Sequence, residues 1–232
     1  MSEAVLRLLQ LASPTLPVGG FSYSEGLEVL VQRGRLGDAA AVGRWLEAEL
    51  LRGTLPIEAA ALRPLRGALQ GWRQAVAEGN GEKACQLQAE LKRRDGWLLA
   101  LREAPELRAQ QRQMGGSLLR LTADLGSPLP EPLALAWPAA WAWAALAFEL
   151  DPLAAVEGFL QAWTAAQISA AVRLVPLGPT EGQRLQLGLV PLLARRAEEL
   201  LATEPEALHS GGVGAAVAQL GHGELYSRLF RS

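Results

Sequence analysis

The sequence of 232 residues is poor in the side chains that most often carry out catalysis or bind metals. Its one cysteine, Cys85, allows no internal disulfide and no cluster of thiolate ligands within the chain. Its two histidines, His209 and His222, lie thirteen residues apart and lack the i,i+4 spacing of a helical zinc site. The sequence therefore predicts no catalytic residue, no metal site and no cofactor.

Patterns for nucleotide and nucleic-acid binding are also missing. The chain has neither a GxxxxGK[ST] motif nor a GxGxxG turn opening a helix, and Gly19-Gly20 is too short to hold a phosphate. The formal charge is −2, from 22 basic and 24 acidic residues, and no block of five or six like charges occurs. We therefore expect no nucleotide binding by this chain and no nucleic acid as its main partner.

Hydrophobic runs fall short of a typical membrane span. One uncharged run of 17 residues, Pro132 to Phe148, is at the lower edge of membrane-spanning length, contains Pro138 and is rich in alanine and tryptophan. The N-terminus carries Glu3 and has too short an apolar stretch for a signal peptide. We expect a cytoplasmic protein with no membrane partner, in which the run from Pro132 forms a buried core helix.

Helical signals dominate what the sequence does contain. Half of the residues are hydrophobic, and they recur at three- and four-residue spacing between Gly and Pro breaks, with almost no strand-like alternation. This predicts an all-α protein with a single helical-bundle domain over residues 1–210, then a glycine-rich tether and a flexible C-terminal docking segment over 211–232. After an apolar N-terminal stretch, the predicted helices run from Ser22 to about Arg33, from Asp38, and over Ile57–Ala77, Glu82–Asp95, Glu106–Leu125, Pro138–Leu150, Leu153–Val175 and Gln183–Ala202.

The predicted helix over Pro138–Leu150 is apolar all round. Trp141 lies on one stripe with Trp137, and Trp143 lies nearly opposite, which predicts a position at the centre of the bundle. An alternative is a small helical ligand-binding regulator with a pocket lined by these tryptophans.

The segment Ser22-Tyr23-Ser24-Glu25 fits a capping box that starts a helix. Glu25 and Glu28 then lie one turn apart on the same face, next to Ser22 and Tyr23. Such a pair is suited to acid/base chemistry or to holding a cation, which leaves open a carboxylate-based helical enzyme. Capping explains Glu25 equally well, and a solvated position explains Glu28.

The last twelve residues, Gly221 to Ser232, are less polar than most chain ends. In a helical conformation their two leucines form one i,i+4 pair and Tyr226 with Phe230 forms another, giving one apolar strip flanked by arginines. Tyr, Phe and Arg are frequent anchors of protein interfaces. The strip predicts either a docking segment for a partner or a last helix folded onto its own core.

Four separated segments of the sequence are informative when they are taken together. They are Leu8–Glu28 (LLQLASPTLPVGGFSYSEGLE), Arg112–Leu121 (RQMGGSLLRL), Ile168–Gln183 (ISAAVRLVPLGPTEGQ) and Tyr226–Ser232 (YSRLFRS). In order and spacing they resemble the UreF family of urease accessory proteins, over nearly the whole chain. Tails of that family commonly read HETQYSRLFRS, whereas here Gly223 follows His222 and Glu224 comes one place later. The spacing from His222 to Tyr226 is kept but the carboxylate is displaced by one residue, which leaves open any role that needs an adjacent His–Glu pair.

The resemblance implies an all-helical, dimerising protein that has no active site of its own. Members of the family sit between a UreD/UreH-type scaffold and the GTPase UreG, in an assembly that promotes nickel insertion into urease apoprotein. The resemblance implies that the C-terminal segment becomes ordered when it docks on the UreD/UreH-type partner, with contacts from Tyr226, Arg228, Leu229, Phe230 and Arg231. It implies a second surface, for partner binding or nickel passage, at Ser22, Tyr23, Glu25 and Glu28.

Overall fold

Helices make up most of residues 2–231, the part of the chain that the computed structural model describes. They are α1 (Ser2–Leu11), α2 (Leu27–Gln32), α3 (Ala39–Arg52), α4 (Leu55–Ala77), α5 (Gly81–Ala100), α6 (Pro105–Asp124), α7 (Trp137–Ala147), α8 (Pro152–Leu174), α9 (Pro179–Leu201) and α10 (Val213–Leu220), with 3-10 turns at Gly20–Ser22, Pro205–Ala207 and His222–Glu224. No strand occurs within the described range, which confirms the all-α prediction. Ser232, the last residue of the C-terminal motif, lies outside that range, as does Met1.

Local sequence explains where several helices begin. The Asp38 carboxylate accepts a hydrogen bond from the Ala41 amide at 2.7 Å, which caps α3 as predicted. Asn80 caps α5 in the same way, and Asp151 precedes Pro152 at the start of α8. The predicted helices from Ile57 onward are confirmed, with ends shifted by a few residues; α5 continues to Ala100.

Helix α7 lies in the core, packed against α4, α6 and α8. Trp141 and Trp143 are both buried although they lie on opposite sides of the helix, because neighbouring helices surround it. Each indole N–H has a carbonyl acceptor at 3.0 Å, on Ala155 and Ser127 respectively. The prediction of a central helix is confirmed, and no helix among residues 2–231 is long and apolar enough to cross a membrane.

A glycine allows α6 to approach the segment that leads into α7. A Cβ atom at Gly115 would lie 2.4 Å from the Leu135 carbonyl oxygen, which is closer than van der Waals contact permits. The neighbouring Gly116 faces open space. Gly115 is therefore a packing requirement of the fold.

The predicted capping box at Ser22 is wrong. Glu25 has a φ of 49° and Gly26 a φ of 90°, so the backbone turns in the left-handed region and α2 begins only at Leu27. The Glu25 side chain does not fold back onto the chain. It accepts hydrogen bonds from Gln110 at 2.7 Å and Trp163 at 3.1 Å, and these distant partners replace the local cap.

The C-terminal segment also differs from its predicted helical form. Helix α10 begins at Val213, inside the glycine-rich stretch where the sequence indicated only a break. After Leu220 the backbone forms one short 3-10 turn and then continues without helix to Arg231, so the i,i+4 strip does not form. Contacts with the body, described below, hold this segment in an irregular conformation.

Candidate partner-binding surface

A buried carboxylate, Glu28, connects α2 to the C-terminal segment. Its Oε1 atom accepts a hydrogen bond from the Leu229 amide at 2.6 Å, and its Oε2 atom accepts one from the Phe230 amide at 3.2 Å. The Nε2 atom of His222 lies 3.0 Å from the same Oε2. Glu28 is only 1% exposed, so the expectation of a solvated Glu28 is wrong.

The Phe230 ring is turned toward the body and is 5% exposed. The Arg173 guanidinium lies over it, 4.5 Å from the ring centroid. The same guanidinium donates a hydrogen bond to the Phe21 carbonyl oxygen at 3.2 Å. Arg173 of α8 therefore joins the loop before α2 to the chain end, with a carbonyl as one of its partners.

Two further hydrogen bonds fix the edges of the segment. The Arg231 amide donates to the Ser22 carbonyl oxygen at 2.8 Å, and the Gln32 side-chain amide donates to the Ser227 carbonyl oxygen at 3.0 Å. Gly26 allows α10 to approach closely, because a Cβ there would lie 2.9 Å from the Ala215 carbonyl oxygen. The two sequence segments singled out for partner binding thus lie against each other.

The outer side of this contact is apolar and basic. Tyr226 is fully exposed, Leu229 is 53% exposed and Phe21 is 71% exposed. Arg228 and Arg231 are also exposed. We call Phe21, Tyr226, Arg228, Leu229 and Arg231 the tail surface.

The predicted contact residues therefore divide into two groups. Tyr226, Arg228, Leu229 and Arg231 face solvent, whereas Tyr23, Glu28 and Phe230 are buried within the chain and Ser22 and Glu25 are partly buried. A protein partner approaching this face meets the first group directly. Phe21 belongs with that group, and a single exposed aromatic residue within a loop gave no periodic signal by which to find it.

Glu25 and Glu28 do not form a carboxylate pair, because their side chains take separate sets of partners. Glu25 faces a buried charge cluster in which Arg102 donates to both oxygens of Glu58, at 2.7 and 2.6 Å, and lies 3.5 Å from Glu25. Burial lowers the pKa of Arg102, but the charges of Glu58 and Glu25 outweigh this, so the pKa is raised. Burial raises the pKa of Glu58, and the Arg102 charge opposes that shift.

Glu49 extends this cluster toward the glycine-rich stretch before α10. Burial raises the pKa of the Glu49 carboxyl to about 7, and the nearby Glu25 charge adds to the shift. Its carboxylate oxygens would each lie 3.5 Å from a Cβ placed on Gly212. Neither Glu49 nor the Glu58–Arg102 pair was singled out from the sequence, because a single charged residue in a helix is usually solvated.

The two histidines have different surroundings. His209 is exposed, whereas His222 is fully buried and uses Glu28 as its carboxylate partner. The carboxylate partner of His222 is therefore Glu28, which is distant in sequence. The residue directly after His222 is Gly223 and not a glutamate. No group of three or more His, Cys, Asp or Glu side chains suited to a metal ion occurs in the described part of the chain.

Comparison with a protein-family model and with known proteins gives the same family in both cases. The UreF family model matches residues 36–190, which is more than half of the chain. The chain is similar to a urease accessory protein UreF of Prochlorococcus marinus (strain MIT 9215), with 36% identity over the full length of both proteins. It is also similar to those of a Synechocystis species, at 38% identity over 99% of this chain and 98% of the relative, and of Alkalilimnicola ehrlichii, at 40% identity over 97% and 95%.

Proposed function

Since this chain belongs to the UreF family of urease accessory proteins, we propose that it works by binding rather than by catalysis. In this proposal the chain bridges a UreD/UreH-type accessory protein and the GTPase UreG on urease apoprotein. It thereby promotes nickel insertion, with nickel as cargo rather than as a resident cofactor. A homodimer is the proposed working form.

One observation carries the binding proposal. The tail surface exposes two aromatic rings and a leucine beside two arginines, although such rings are usually buried in a free protein. The backbone that carries them is held by Glu28, Ser22 and Gln32. Aromatic and arginine side chains on an ordered backbone supply the anchors of protein interfaces at low entropic cost. We assign the tail surface to the UreD/UreH-type partner.

The alternative functions have less support. The proposed acid/base pair requires Glu25 and Glu28 to act together, and each already has its own partners. A pocket lined by tryptophans requires space beside α7, where the side chains of Trp141 and Trp143 are buried and paired. A shallow groove does lie between α3 and α9, and its lining includes Ala40, Gly43 and Arg184 but no tryptophan.

Co-elution on size exclusion tests this proposal. The chain should form a stable complex with a UreD/UreH-type protein, and addition of UreG with GTP and nickel should give a larger assembly. The double variant Tyr226→Ala, Leu229→Ala should lose the first complex, because it removes two side chains of the tail surface. It should keep its fold, because both side chains are exposed and contribute little to it. Leu187→Ala is the matched control, since Leu187 is an exposed leucine on α9 outside the tail surface. Normal complex formation by the double variant would refute the assignment of this surface.

A further inference from the structure

Phe21 belongs to the tail surface but lies outside the C-terminal segment. It sits in the 3-10 turn Gly20–Ser22 and is 71% exposed. Val18 and Tyr23, which lie on either side of this turn, are buried. Both ends of the turn are therefore fixed in the core, and the turn carries the Phe21 ring out into solvent.

The backbone that follows this turn adopts a conformation that its sequence disfavours. Glu25 has a φ of 49°, in the left-handed region that residues with a Cβ atom rarely adopt. A backbone of this kind persists only where surrounding contacts hold it. The conformation of the loop therefore depends on the contacts that Glu25 makes.

The Glu25 side chain joins this loop to three separate parts of the body. Gln110 of α6 donates a hydrogen bond to Oε1 at 2.7 Å, and Trp163 of α8 donates one to Oε2 at 3.1 Å. The Arg102 guanidinium, between α5 and α6, lies 3.5 Å from Oε2. Only 11% of the Glu25 side chain is exposed, so water competes little for these contacts.

One further contact holds the loop, and it is weaker. Arg173 of α8 donates a hydrogen bond to the Phe21 carbonyl oxygen at 3.2 Å, but Arg173 is exposed, so water competes for that bond. The buried Glu25 carboxylate is therefore the main attachment of this part of the loop.

We propose that Glu25 is a positioning residue that holds the loop of residues 19–26 on the body and so sets the Phe21 ring in place before a partner docks. A ring that is already in place loses less conformational freedom on binding, which increases affinity. Glu25 thus acts through Phe21 without touching the partner. This inference rests on the proposed function, because it takes Phe21 as a contact of the UreD/UreH-type partner. It does not require the C-terminal segment to be ordered in the free chain.

The change Glu25→Gly removes the side chain without adding backbone strain, because glycine adopts positive φ readily. Arg102 keeps both hydrogen bonds to Glu58, so the buried cation stays paired. The matched control is Glu149→Gly, since Glu149 also has a positive φ, of 55°. Its side chain is 79% exposed and pairs with Arg7 at the surface, so this control measures what glycine alone does to a left-handed position.

Hydrogen exchange on the full chain without any partner gives the first readout. The amides of Ser22 and Tyr23 donate to carbonyl oxygens three residues earlier in the chain. In Glu25→Gly both amides should exchange at least about tenfold faster than in the parent chain, whereas the Leu150 amide beside the control substitution should change much less. Peptides from α4 and α7 should exchange as in the parent, which confirms folding. Parent-like exchange at Ser22 and Tyr23, or an equal acceleration beside the two glycines, would overturn the inference.

Affinity for the UreD/UreH-type protein, measured by calorimetry in a double-mutant cycle, gives the second readout. Glu25→Gly and Phe21→Ala should each weaken binding by about tenfold, and Glu149→Gly should bind like the parent. The double variant Glu25→Gly, Phe21→Ala should bind within about twofold of Phe21→Ala, because Glu25 acts only through the ring. Additive losses, or parent-like affinity of either single variant, would overturn the inference. A parent chain that does not bind the partner would instead refute the proposed function, and the exchange experiment would still report whether Glu25 holds the loop.

Discussion

Replacing Arg102 with methionine should strongly destabilise the fold, because Arg102 is the cation at the centre of a buried cluster of carboxylates. It donates two hydrogen bonds to Glu58, lies 3.5 Å from Glu25 and interacts with the Glu49 charge. Glu58 is 2% exposed, so water does not replace the lost partner. Removing one member of a buried ion pair typically costs about 3–5 kcal/mol.

That cost is a large part of the total stability, since domains unfold with free energies of roughly 5–15 kcal/mol. For a chain of this length each kcal/mol lowers the melting temperature by about 2–4 °C, so the expected decrease is about 6–20 °C. Urea unfolding followed by circular dichroism, together with calorimetric melting, measures both quantities. The control Arg63→Met removes a surface ion pair with Glu204 and should change stability by at most about 1 kcal/mol.

Two further experiments test whether the unpaired charge of Glu58 causes the loss of stability. The double variant Arg102→Met, Glu58→Met should recover much of the loss, because it leaves no unpaired charge at Glu58. The Arg102→Met defect should also be smaller at pH 5.5 than at pH 8, because protonation neutralises the carboxylates that remain. A loss below about 1 kcal/mol, or a double variant as unstable as the single one, would refute this reasoning.

Two other predictions concern stability. Glu49 has its pKa raised to about 7 in the fold from an ordinary value of 4.5, so its contribution to stability is present below pH 4.5 and is lost as the pH rises through 7. Glu49→Gln should therefore have a higher melting temperature than the parent at pH 8, and its melting temperature should fall less between pH 5 and pH 8. An equal fall in the variant and the parent would contradict the raised pKa of Glu49. Gly115→Ala should lower the free energy of unfolding, measured in urea, by several kcal/mol, because the new methyl group clashes with the Leu135 carbonyl. Gly116→Ala should raise the same free energy by up to about 1 kcal/mol, because its position is open and alanine favours helix. Equal effects of the two variants would exclude the clash.

Much of the helical architecture could be predicted from the sequence, because helices are encoded by local spacing. Apolar residues three and four apart, breaks at Gly and Pro, and the Asp38 cap are visible within a few residues of chain. The central position of α7 follows from an apolar sequence on all sides. Local rules failed at Glu25, because its side chain bonds to Gln110 and Trp163, which lie 85 and 138 residues away.

The candidate surface was predicted only in outline. Composition marked the chain end as unusually apolar, and the family resemblance marked the Ser22–Glu28 segment, but nothing local indicated that the two lie against each other. The bond from Leu229 to Glu28 spans 201 residues, and such a contact leaves no periodic trace in one sequence. The same contact turns Phe230 inward, so the predicted apolar strip is divided between core and surface.

Urease activation in cells that lack their own UreF-type protein tests whether the tail surface is needed for the maturation of urease. We would express the full chain, the double variant Tyr226→Ala, Leu229→Ala, and the control Leu187→Ala at equal levels, and measure urease activity and nickel bound per urease. We expect the parent and the control to restore both quantities and the double variant to restore neither, although its melting temperature is unchanged. Full activation by the double variant, or no activation by the parent chain, would contradict this expectation.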